Sequence, residues 1–437
     1  MDKEPTAAAL WDRLPASSRA LCLAVARAAA ARGEAVYLVG GCVRDLLLGH
    51  SQVDLDVVVE GDAVALAAAV AEQLGATTRT PSEFMTTALE LPSGGHLDLT
   101  TARQETYPAP ANLPEVAPAS IAEDLRRRDF SVNALAVRVE TAGATELIDL
   151  SGGRQDLAAG LIRILHPGSF ADDPTRIIRA VRFEQRLGFA LEPATEAALR
   201  QTLTQGLLEQ VSGPRVRDEL VKLLQEPQAL RMLRRLQELG ALGRALPHVG
   251  LDRESQRWLE STPVALTALR IGGRQWPFLL GALCARGDAA TALERLHPDA
   301  AARVVVEAMA QAARGPLPRF LTSRGPVLDS RLAEALEPCA NGERVVYWLR
   351  GCAIARQRLE RDAGTLRPTR ADISGDDLLT AAIPPGPEIG VGLRAARAAK
   401  LDRGADEEEQ LRVALAAARD RQAPERRRRV RPDVNGA

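Results

Sequence analysis

The sequence has few aromatic residues, almost no net charge and no paired cysteines, and each shortage limits what the protein can be. Aromatic side chains make up 3% of the residues and hydrophobic ones 46%, so alanine, leucine and valine must fill the interior, which favours packed helices. The 56 basic and 57 acidic residues leave a net charge of −1, so no overall field attracts a polyanion. Any nucleic acid must therefore be bound by local clusters of arginine.

The five cysteines are scattered and form neither a CxxC motif nor a histidine-paired metal motif, so we expect reduced, mostly buried thiols. The N-terminus lacks the basic and apolar segments of a secretory signal, and no apolar run is long enough to cross a membrane. These absences predict a cytoplasmic protein that has no membrane partner. At 437 residues, the chain is long enough for several domains and more than one core.

Two aspartates mark the beginning of a buried strand. Asp54 and Asp56 precede a valine-rich run. Because side chains two apart on a strand point to the same face, both carboxylates should lie on one face while Leu55 and Val57 pack on the other. Two adjacent carboxylates repel each other unless a cation lies between them. Mg²⁺ fits best, since it commonly binds through one or two carboxylates and substrate phosphates.

A pair of glycines lies before this strand. Gly40 and Gly41 follow a first apolar run and precede a short predicted helix that contains Arg44. Glycine leaves room for a triphosphate to approach the backbone, and Arg44 would supply positive charge beside it. The glycines could instead form only a turn, with the aspartates as solvated residues at a strand edge. The combination of glycine turn and carboxylates favours a metal-dependent nucleotidyl transfer site.

The surrounding sequence predicts a mixed α and β domain up to about residue 150. Apolar spacing predicts helices at 10–33 and 62–74, and alternation predicts two strands within 85–103. Asp98, in the second of these strands, is either a third carboxylate near the metal or an ordinary polar strand residue. Residues 104–123 contain four prolines and little periodicity, which predicts a mobile loop beside the site.

A second set of charged residues follows. Three arginines and Asp129 lead directly into an apolar run, so this charged segment must lie against a core although such runs are usually solvated. Further along, Asp173 is placed to cap a helix that begins at Pro174. On that helix Arg176, Arg179 and Arg182 recur at every third residue and form a slanted basic stripe. The alternative interpretation is that Asp173 is only a cap and the arginines are a solvated face.

The remainder of the chain shows mainly helical spacing. Residues 192–360 are predicted to be helical, with proline and glycine breaks, and another helix should begin after Pro387. Isolated tryptophans in this region are either core residues or platforms for bases. The last residues, rich in arginine and without apolar periodicity, predict a disordered basic tail.

These motifs resemble the signature of the class II tRNA nucleotidyltransferase and bacterial poly(A) polymerase family. GGCVRD followed by DLD corresponds to the family's GGxVRD and DxD. RRDFSVNA corresponds to RRDFTxNA with Ser131 in place of threonine, and DDPTR corresponds to EDxxR with Asp172 in place of glutamate. Residues 371–404 resemble the family's C-terminal GxDL turn followed by PGPxIG.

The resemblance implies roles for individual residues. Arg128 and Asp129 would contact the nucleotide, with Asp129 near the ribose hydroxyls. Asp173 and Arg176 would act as a protein template. An ionised carboxylate accepts from the amino groups of cytosine or adenine but faces a carbonyl on uracil or guanine, while Arg176 can donate to a ring nitrogen. Two further arginines would hold phosphates, namely Arg179 and Arg182.

The resemblance also implies an architecture and an activity. The fold would be α+β, with a small mixed-sheet nucleotidyltransferase head and helical domains after it. The boundaries are head 1–150, neck 151–225, body 226–365, tRNA-binding tail 366–420 and disordered basic C-terminus 421–437. The activity would be template-independent addition of CCA, or only CC or A, to tRNA from CTP and ATP, with Mg²⁺ and without an obligate protein partner. The alternatives are a bacterial poly(A) polymerase and a non-catalytic RNA-binding protein with a degenerate head.

Overall fold

The computed structural model describes residues 5–51, 54–79, 85–92 and 96–429, with only the backbone described for 422–429. The chain divides into two compact units, Met1–Ala245 and Leu246–Ala437. The first unit contains both the predicted head and the predicted neck. The finer boundaries at 150, 225 and 365 remain predictions.

The first unit is built on a mixed sheet, whose strands at 35–39, 56–60, 86–90 and 96–101 lie where apolar runs and alternation predict them. The strands are β1 (Ala35–Val39), β2 (Asp56–Glu60), β3 (Thr77–Thr78), β4 (Thr86–Glu90), β5 (His96–Thr101), β6 (Arg103–Thr106), β7 (Glu115–Pro118), β8 (Leu135–Glu140), β9 (Gly143–Asp149), β10 (Leu161–Ile162) and β11 (Ala190–Leu191). The main sheet has seven strands in the order β3-β4-β5-β2-β1-β8-β9, and β2 and β5 run parallel while the other neighbours are antiparallel. Strand β2 therefore lies inside the sheet and not at its edge.

Helices cover both faces of this sheet and continue beyond it. They are α1 (Ala7–Arg13), α2 (Ala16–Ala30), α3 (Gly41–Leu47), α4 (Ala63–Leu74), α5 (Ile121–Arg126), α6 (Gly153–Ala159), α7 (Ser169–Asp172), α8 (Arg176–Leu187), α9 (Pro193–Thr204), α10 (Leu207–Gln210), α11 (Gly213–Leu224), α12 (Ala229–Glu238) and α13 (Leu242–Ala245). Val57 and Val59 of β2 join the larger core with α2 and α4, whereas Val58 joins a smaller core with α5. Burial on both faces explains the unbroken valine run.

Two sequence predictions for this unit are corrected. The helix predicted over 10–33 is interrupted, because Leu14 has an extended backbone (φ −68°, ψ 141°) before Pro15, as expected for a residue that precedes proline. Residues 104–123 are not a simple loop, since β6 and β7 pair as an antiparallel hairpin.

The second unit is helical in its described part, as predicted. Its helices are α14 (Arg253–Ala268), α15 (Trp276–Cys284), α16 (Ala289–Leu296), α17 (Ala300–Arg314), α18 (Arg319–Thr322), α19 (Asp329–Leu336), α20 (Asn341–Arg350), α21 (Ala353–Arg361), α22 (Gly375–Thr380), α23 (Pro387–Arg403) and α24 (Glu407–Arg429), with a π-helical turn at Asp362–Leu366. Trp258, Trp276 and Trp348 are buried, so they are core residues. No described helix is both long and apolar enough to cross a membrane.

Two further predictions can be compared with this unit and with the chain as a whole. Helix α24 continues to Arg429, past the predicted start of the disordered tail at 421, and residues 430–437 lie outside the described part. All five cysteines are free; Cys22, Cys42 and Cys284 are buried, and Cys352 is exposed.

Candidate active site

The glycine turn is required by its surroundings. Strand β1 ends at Gly40, whose backbone (φ 64°, ψ −126°) is accessible to glycine and strained for other residues. A Cβ atom on Gly40 would lie 2.8 Å from Nη1 of Arg128 and 3.7 Å from the carbonyl oxygen of Asn133. Gly40 therefore lets the arginine of the RRDFSVNA motif approach the beginning of α3.

We expect Gly40→Ala to lower the free energy of unfolding by about 1 kcal/mol through backbone strain and by roughly 1 to 3 kcal/mol more through the contact with Arg128. Gly33→Ala is a reference for a positive φ (72°) with no atom within 4 Å of the Cβ position. Urea unfolding of Gly40→Ala in the wild type and in the Arg128→Ala background separates the two contributions. Equal losses in the two backgrounds would show that the contact with Arg128 costs nothing.

The two aspartates lie at the beginning of β2, as predicted. Asp54 is exposed just before the strand, and Asp56 is the half-buried first residue. Leu55 packs on the same core as Val57. Burial raises the pKa of Asp56 above its ordinary value; Arg128 opposes this, and Asp98 and Asp54 add to it. The carboxylates are thus crowded enough to favour a cation.

Asp98 lies opposite Asp56 in the parallel pairing of β2 with β5. Register partners on adjacent strands point to the same face, and both residues line one small cavity together with Arg128. Within the described part of the chain, however, no three Asp, Glu, His or Cys side chains are close enough to hold a metal ion by themselves. The geometry places Asp98 beside the aspartate pair but does not make it a third ligand.

The arginines before Asp129 are not a solvated face. Arg127 and Arg128 both bind Asp124, which is fully buried on α5. Arg127 also pairs with Glu105 of the β6–β7 hairpin, with 2.7 Å between Nη1 and Oε1. Although burial alone would raise the pKa of Asp124, Arg128 and Arg127 lower it. The motif therefore anchors the hairpin to the sheet.

Asp129 is the centre of a buried hydrogen-bond network. Its Oδ1 accepts from the backbone N–H of Phe130 at 2.8 Å and from Nδ2 of Asn133 at 3.0 Å, and its Oδ2 accepts from Nε of Arg179 at 2.9 Å. Burial opposes ionisation, but Arg179 and Asn133 outweigh it and lower the pKa of Asp129 to about 2. Arg44 extends the network, because its Nη1 donates to Oδ1 of Asn133 at 2.6 Å. The network therefore holds Asp129 and Arg44, two of the predicted nucleotide-binding residues, in place.

In the DDPTR segment, one carboxylate oxygen of Asp173 is used in structural hydrogen bonds. Asp173 Oδ1 accepts from the backbone N–H of Thr175 at 3.0 Å and from Nη2 of Arg215 at 2.8 Å. Asp173 therefore caps the turn that leads into α8, but the helix does not begin at Pro174 as predicted: its regular part begins at Arg176, with Thr175 at the N-cap position and no side-chain cap hydrogen bond. No described residue donates to the other oxygen, Oδ2, in a hydrogen bond. Arg176 is buried, and it donates to Ser169 Oγ at 2.6 Å and to the carbonyl of Arg127 at 2.7 Å.

The predicted basic stripe on α8 is real in its spacing but is not a solvated face. Arg179 and Arg182 both pair with Glu219 of α11, and their guanidinium carbons lie 5.7 and 5.0 Å from the ring centre of Phe183. Both arginines are thus already paired with the carboxylate of Glu219. Their role in binding phosphate stays a prediction. The Nε atom of Arg182 is buried without a hydrogen-bond partner among the described residues.

One cleft of about 650 Å³ brings both motifs together. Its lining includes every predicted site residue: Gly40, Gly41, Arg44, Asp54, Asp56, Arg128, Asp129, Asp173, Arg176, Arg179 and Arg182. Arg215 and Glu219 also line it. No local pattern indicates their role, because they lie 42 and 40 positions from their partners Asp173 and Arg179. Asn133 could have been found, since it belongs to a motif already recognised.

The mixed sheet carries a glycine turn and paired aspartates, and the helical segment after it lines the same polar cleft. These features are those of a nucleotidyltransferase. Comparison with known families agrees with this class. The model described as "Poly A polymerase head domain" matches residues 36–163, and the one described as "Probable RNA and SrmB- binding site of polymerase A" matches residues 188–250.

The CC-adding tRNA nucleotidyltransferase of Deinococcus radiodurans is 34% identical over 411 residues, which cover 92% of this chain and 95% of that protein. A solved apo form of a CCA-adding enzyme superposes with a TM-score of 0.73 at 31% identity over 93% of this chain and 97% of that one. The chain therefore belongs to the class II tRNA nucleotidyltransferase family, whose members generally use a divalent metal ion.

Other relatives are longer. The A-adding tRNA nucleotidyltransferase of Geobacter sulfurreducens is 40% identical over 232 residues, which are 53% of this chain but only 26% of that protein. The matched part of the chain thus covers only about a quarter of the length of that relative and of the A-adding enzyme of Aquifex aeolicus.

Proposed function

We propose that this protein adds CCA, or part of it, to the 3′ end of tRNA from CTP and ATP without a nucleic-acid template. One observation carries the proposal: a single cleft contains the aspartate pair, Asp54 and Asp56, and also Asp173 with its second oxygen unpaired. A single bound nucleotide can therefore place its triphosphate at the aspartate pair and its base at Asp173. Related proteins are named CC-adding and A-adding tRNA nucleotidyltransferases, and a related Thermotoga maritima enzyme was solved complexed with tRNA.

Asp54 and Asp56 would hold Mg²⁺, and the donor chemistry fits. Both ligands are carboxylate oxygens, and the crowding that raises the pKa of Asp56 is relieved by a cation. When bound, such an ion lowers the pKa of a hydroxyl nucleophile and neutralises charge on the leaving pyrophosphate. The protein's own residues bind and orient the nucleotide. Gly40 and Gly41 leave room for the triphosphate, and the network around Asp129 fixes Arg44 and Arg179.

Selection of the base would depend on Asp173. Its Oδ1 is occupied by the cap and by Arg215, so its Oδ2 is the acceptor available for an exocyclic amino group. Cytosine and adenine carry such a group at the corresponding edge, whereas uracil and guanine carry a carbonyl oxygen that the carboxylate repels. Arg215 also donates to the carbonyls of Ala111 and Asn112, so it joins the β6–β7 loop to the base-reading carboxylate.

Two substitutions at Asp173 separate recognition from capping. In Asp173→Asn the amide oxygen can keep the bonds of Oδ1, while an NH₂ group replaces the open acceptor. We expect kcat/KM for CTP and ATP to fall about tenfold to a hundredfold, because a charged hydrogen bond contributes roughly 1.5 to 3 kcal/mol, with relatively better use of UTP and GTP. Its melting temperature should fall less than that of Asp173→Ala, because the amide keeps the hydrogen bonds of Oδ1 and loses only the charge of the pair with Arg215, whereas Asp173→Ala also loses about 0.5 to 2 kcal/mol of stability with the cap.

The measurement compares kcat/KM for the four nucleotides in both variants and records melting curves. If Asp173→Asn keeps the wild-type preference and only Asp173→Ala melts earlier, Asp173 is a cap and does not read the base.

Binding of tRNA should depend strongly on salt although the net charge is −1. Phosphate contacts release counterions wherever arginines cluster, so log K should fall linearly with log salt concentration. Filter binding at several KCl concentrations measures the slope. A binding constant that does not change with salt would argue against a nucleic-acid partner.

A poly(A) polymerase is the second candidate, since the head model that matches carries that description. The two activities, and a non-catalytic RNA-binding role, are separated by supplying tRNA that ends at the discriminator base, at C or at CC with one nucleotide at a time. Limited addition of C and A supports the proposal, a long A tail supports the alternative, and no incorporation supports a binding protein. The free cysteines fit work in a reducing cytoplasm.

A further inference from the structure

A second cavity, of about 440 Å³, lies within the helical second unit. It is formed by the segment after the π-helical turn and by one side of α23. Its lining contains five arginines: Arg344, Arg367, Arg370, Arg394 and Arg397. Glu337 and Asp362 are the carboxylates in the lining. The lining therefore carries an excess of positive charge.

The carboxylates do not balance this charge. Asp362 is buried and occupied by Arg344, which also donates to the carbonyls of Leu336 and Cys339. Glu337 forms no ion pair with a described residue. Arg344 and Asp362 thus form a closed structural pair, and four arginines are left facing one space in which Glu337 is the one remaining carboxylate of the lining.

Backbone carbonyls hold three of the four arginines in place. Arg397 donates through Nε to the carbonyl of Thr369 and through Nη2 to that of Leu366, both at 2.9 Å. Arg367 donates to the carbonyl of Leu269 at 2.8 Å. Arg370 donates to the carbonyl of Arg367 at 2.7 Å. A carbonyl orients a guanidinium group but does not neutralise it.

Two of the four, Arg367 and Arg397, are half-buried. Burial, and then Arg344, lower the pKa of Arg367. In the cleft of the first unit, by contrast, Arg127, Arg179 and Arg182 each pair with carboxylates. The second cavity therefore contains four guanidinium groups without a carboxylate partner among the described residues, three of them oriented by backbone carbonyls, and such an arrangement binds phosphate.

We propose that this cavity is a phosphate-binding site. An RNA backbone and free inorganic phosphate both carry the phosphate group that such a site would bind. Binding of RNA rests on the proposed function, whereas binding of free phosphate does not. Arg370 and Arg394 are the exposed members of the set, and Arg394 forms no hydrogen bond or ion pair with any described residue, so both can bind a phosphate without breaking the fold.

The test uses the full-length double variant R370Q/R394Q, because these two side chains have the least structural role. The matched control is R324Q/R419Q, which removes the same charge from two exposed arginines outside the cavity. One arm measures melting in inorganic phosphate against KCl at equal ionic strength. The other arm measures the slope of log K against log salt for tRNA without CCA.

We expect phosphate to raise the melting temperature of the wild type and of the control, and this rise to be lost in R370Q/R394Q. For RNA as the source, the salt slope falls by about 1 to 2 in R370Q/R394Q, one for each lost phosphate contact. Loss of the melting shift with an unchanged slope identifies free phosphate as the source. If R370Q/R394Q behaves as the control in both arms, the site does not exist.

Nucleotide incorporation is measured in parallel, so the two proposals fail separately. A protein that incorporates no nucleotide but loses its phosphate shift in R370Q/R394Q keeps this site and loses the proposed activity.

Discussion

Replacing Asp56 with asparagine should lower nucleotide incorporation about a thousandfold or more while the fold stays intact. A metal ligand supports transition-state charge stabilisation of several kcal/mol, and about 4 kcal/mol corresponds to a thousandfold change in rate. The melting temperature should stay the same or rise. Burial, Asp98 and Asp54 raise the pKa of Asp56, so a neutral side chain of the same shape removes repulsion from the free protein.

The experiment measures incorporation of CTP and ATP into tRNA and a melting curve for each variant. Glu90→Gln is the control, because Glu90 is an exposed carboxylate on strand β4 of the same sheet, paired with Arg79. Asp98→Asn is a further arm that decides the role of this residue: a loss as large as that of Asp56→Asn would make it a ligand, and a small one a neighbour. Near-normal incorporation by Asp56→Asn would remove the central claim about the site.

Asp129→Asn should lower the free energy of unfolding by about 3 kcal/mol, which is the low end for breaking a buried ion pair. The low end applies because Arg179 keeps a second partner, Glu219, at 3.3 Å. The neutral amide has one acceptor oxygen in place of two, so its NH₂ group faces either the guanidinium of Arg179 or Nδ2 of Asn133, and the hydrogen bond from that donor is lost. Since Asn133 positions Arg44, activity should fall as well.

The pH dependence of this effect has a definite sign. The pKa of Asp129 in the folded protein is about 2, below the ordinary value of 3.8, so its ionised form stabilises the fold. That contribution is complete above about pH 4 and is lost as the pH falls towards 2. The stability difference between wild type and Asp129→Asn should therefore shrink across this window.

Urea unfolding at pH 7 and at several values down to the acid limit of the fold measures this difference. Asp218→Asn is the control, because Asp218 forms an exposed pair with Arg217 and such pairs contribute only about 0 to 1 kcal/mol. A difference between wild type and Asp129→Asn that does not change with pH would contradict the assignment of the charge to Asp129.

Much of the head could be predicted from local pattern. The valine run of β2, the turn at Gly40 and the helix over 62–74 each depend on side-chain spacing or on backbone conformation, and these act within a few residues. The errors also have local causes. The break before Pro15 was missed because alanine-rich helical spacing continues through it, and the β6–β7 hairpin was missed because its proline-rich tip hides two short strands.

The protein's own sequence determined which residues line the cleft, because GGCVRD, DLD, RRDFSVNA and DDPTR are recognisable at fixed spacing. Only the tertiary structure decided how these residues are held. Arg44 meets Asn133 across 89 positions, Arg179 meets Asp129 across 50, and Arg215 meets Asp173 across 42. No period in the sequence encodes such pairs, since the free energy of a buried ion pair depends on three-dimensional burial and partners. For the same reason Arg179 and Arg182, part of a basic stripe along α8, pair with carboxylates in the fold, while four arginines that line the second cavity form no ion pair with a described residue.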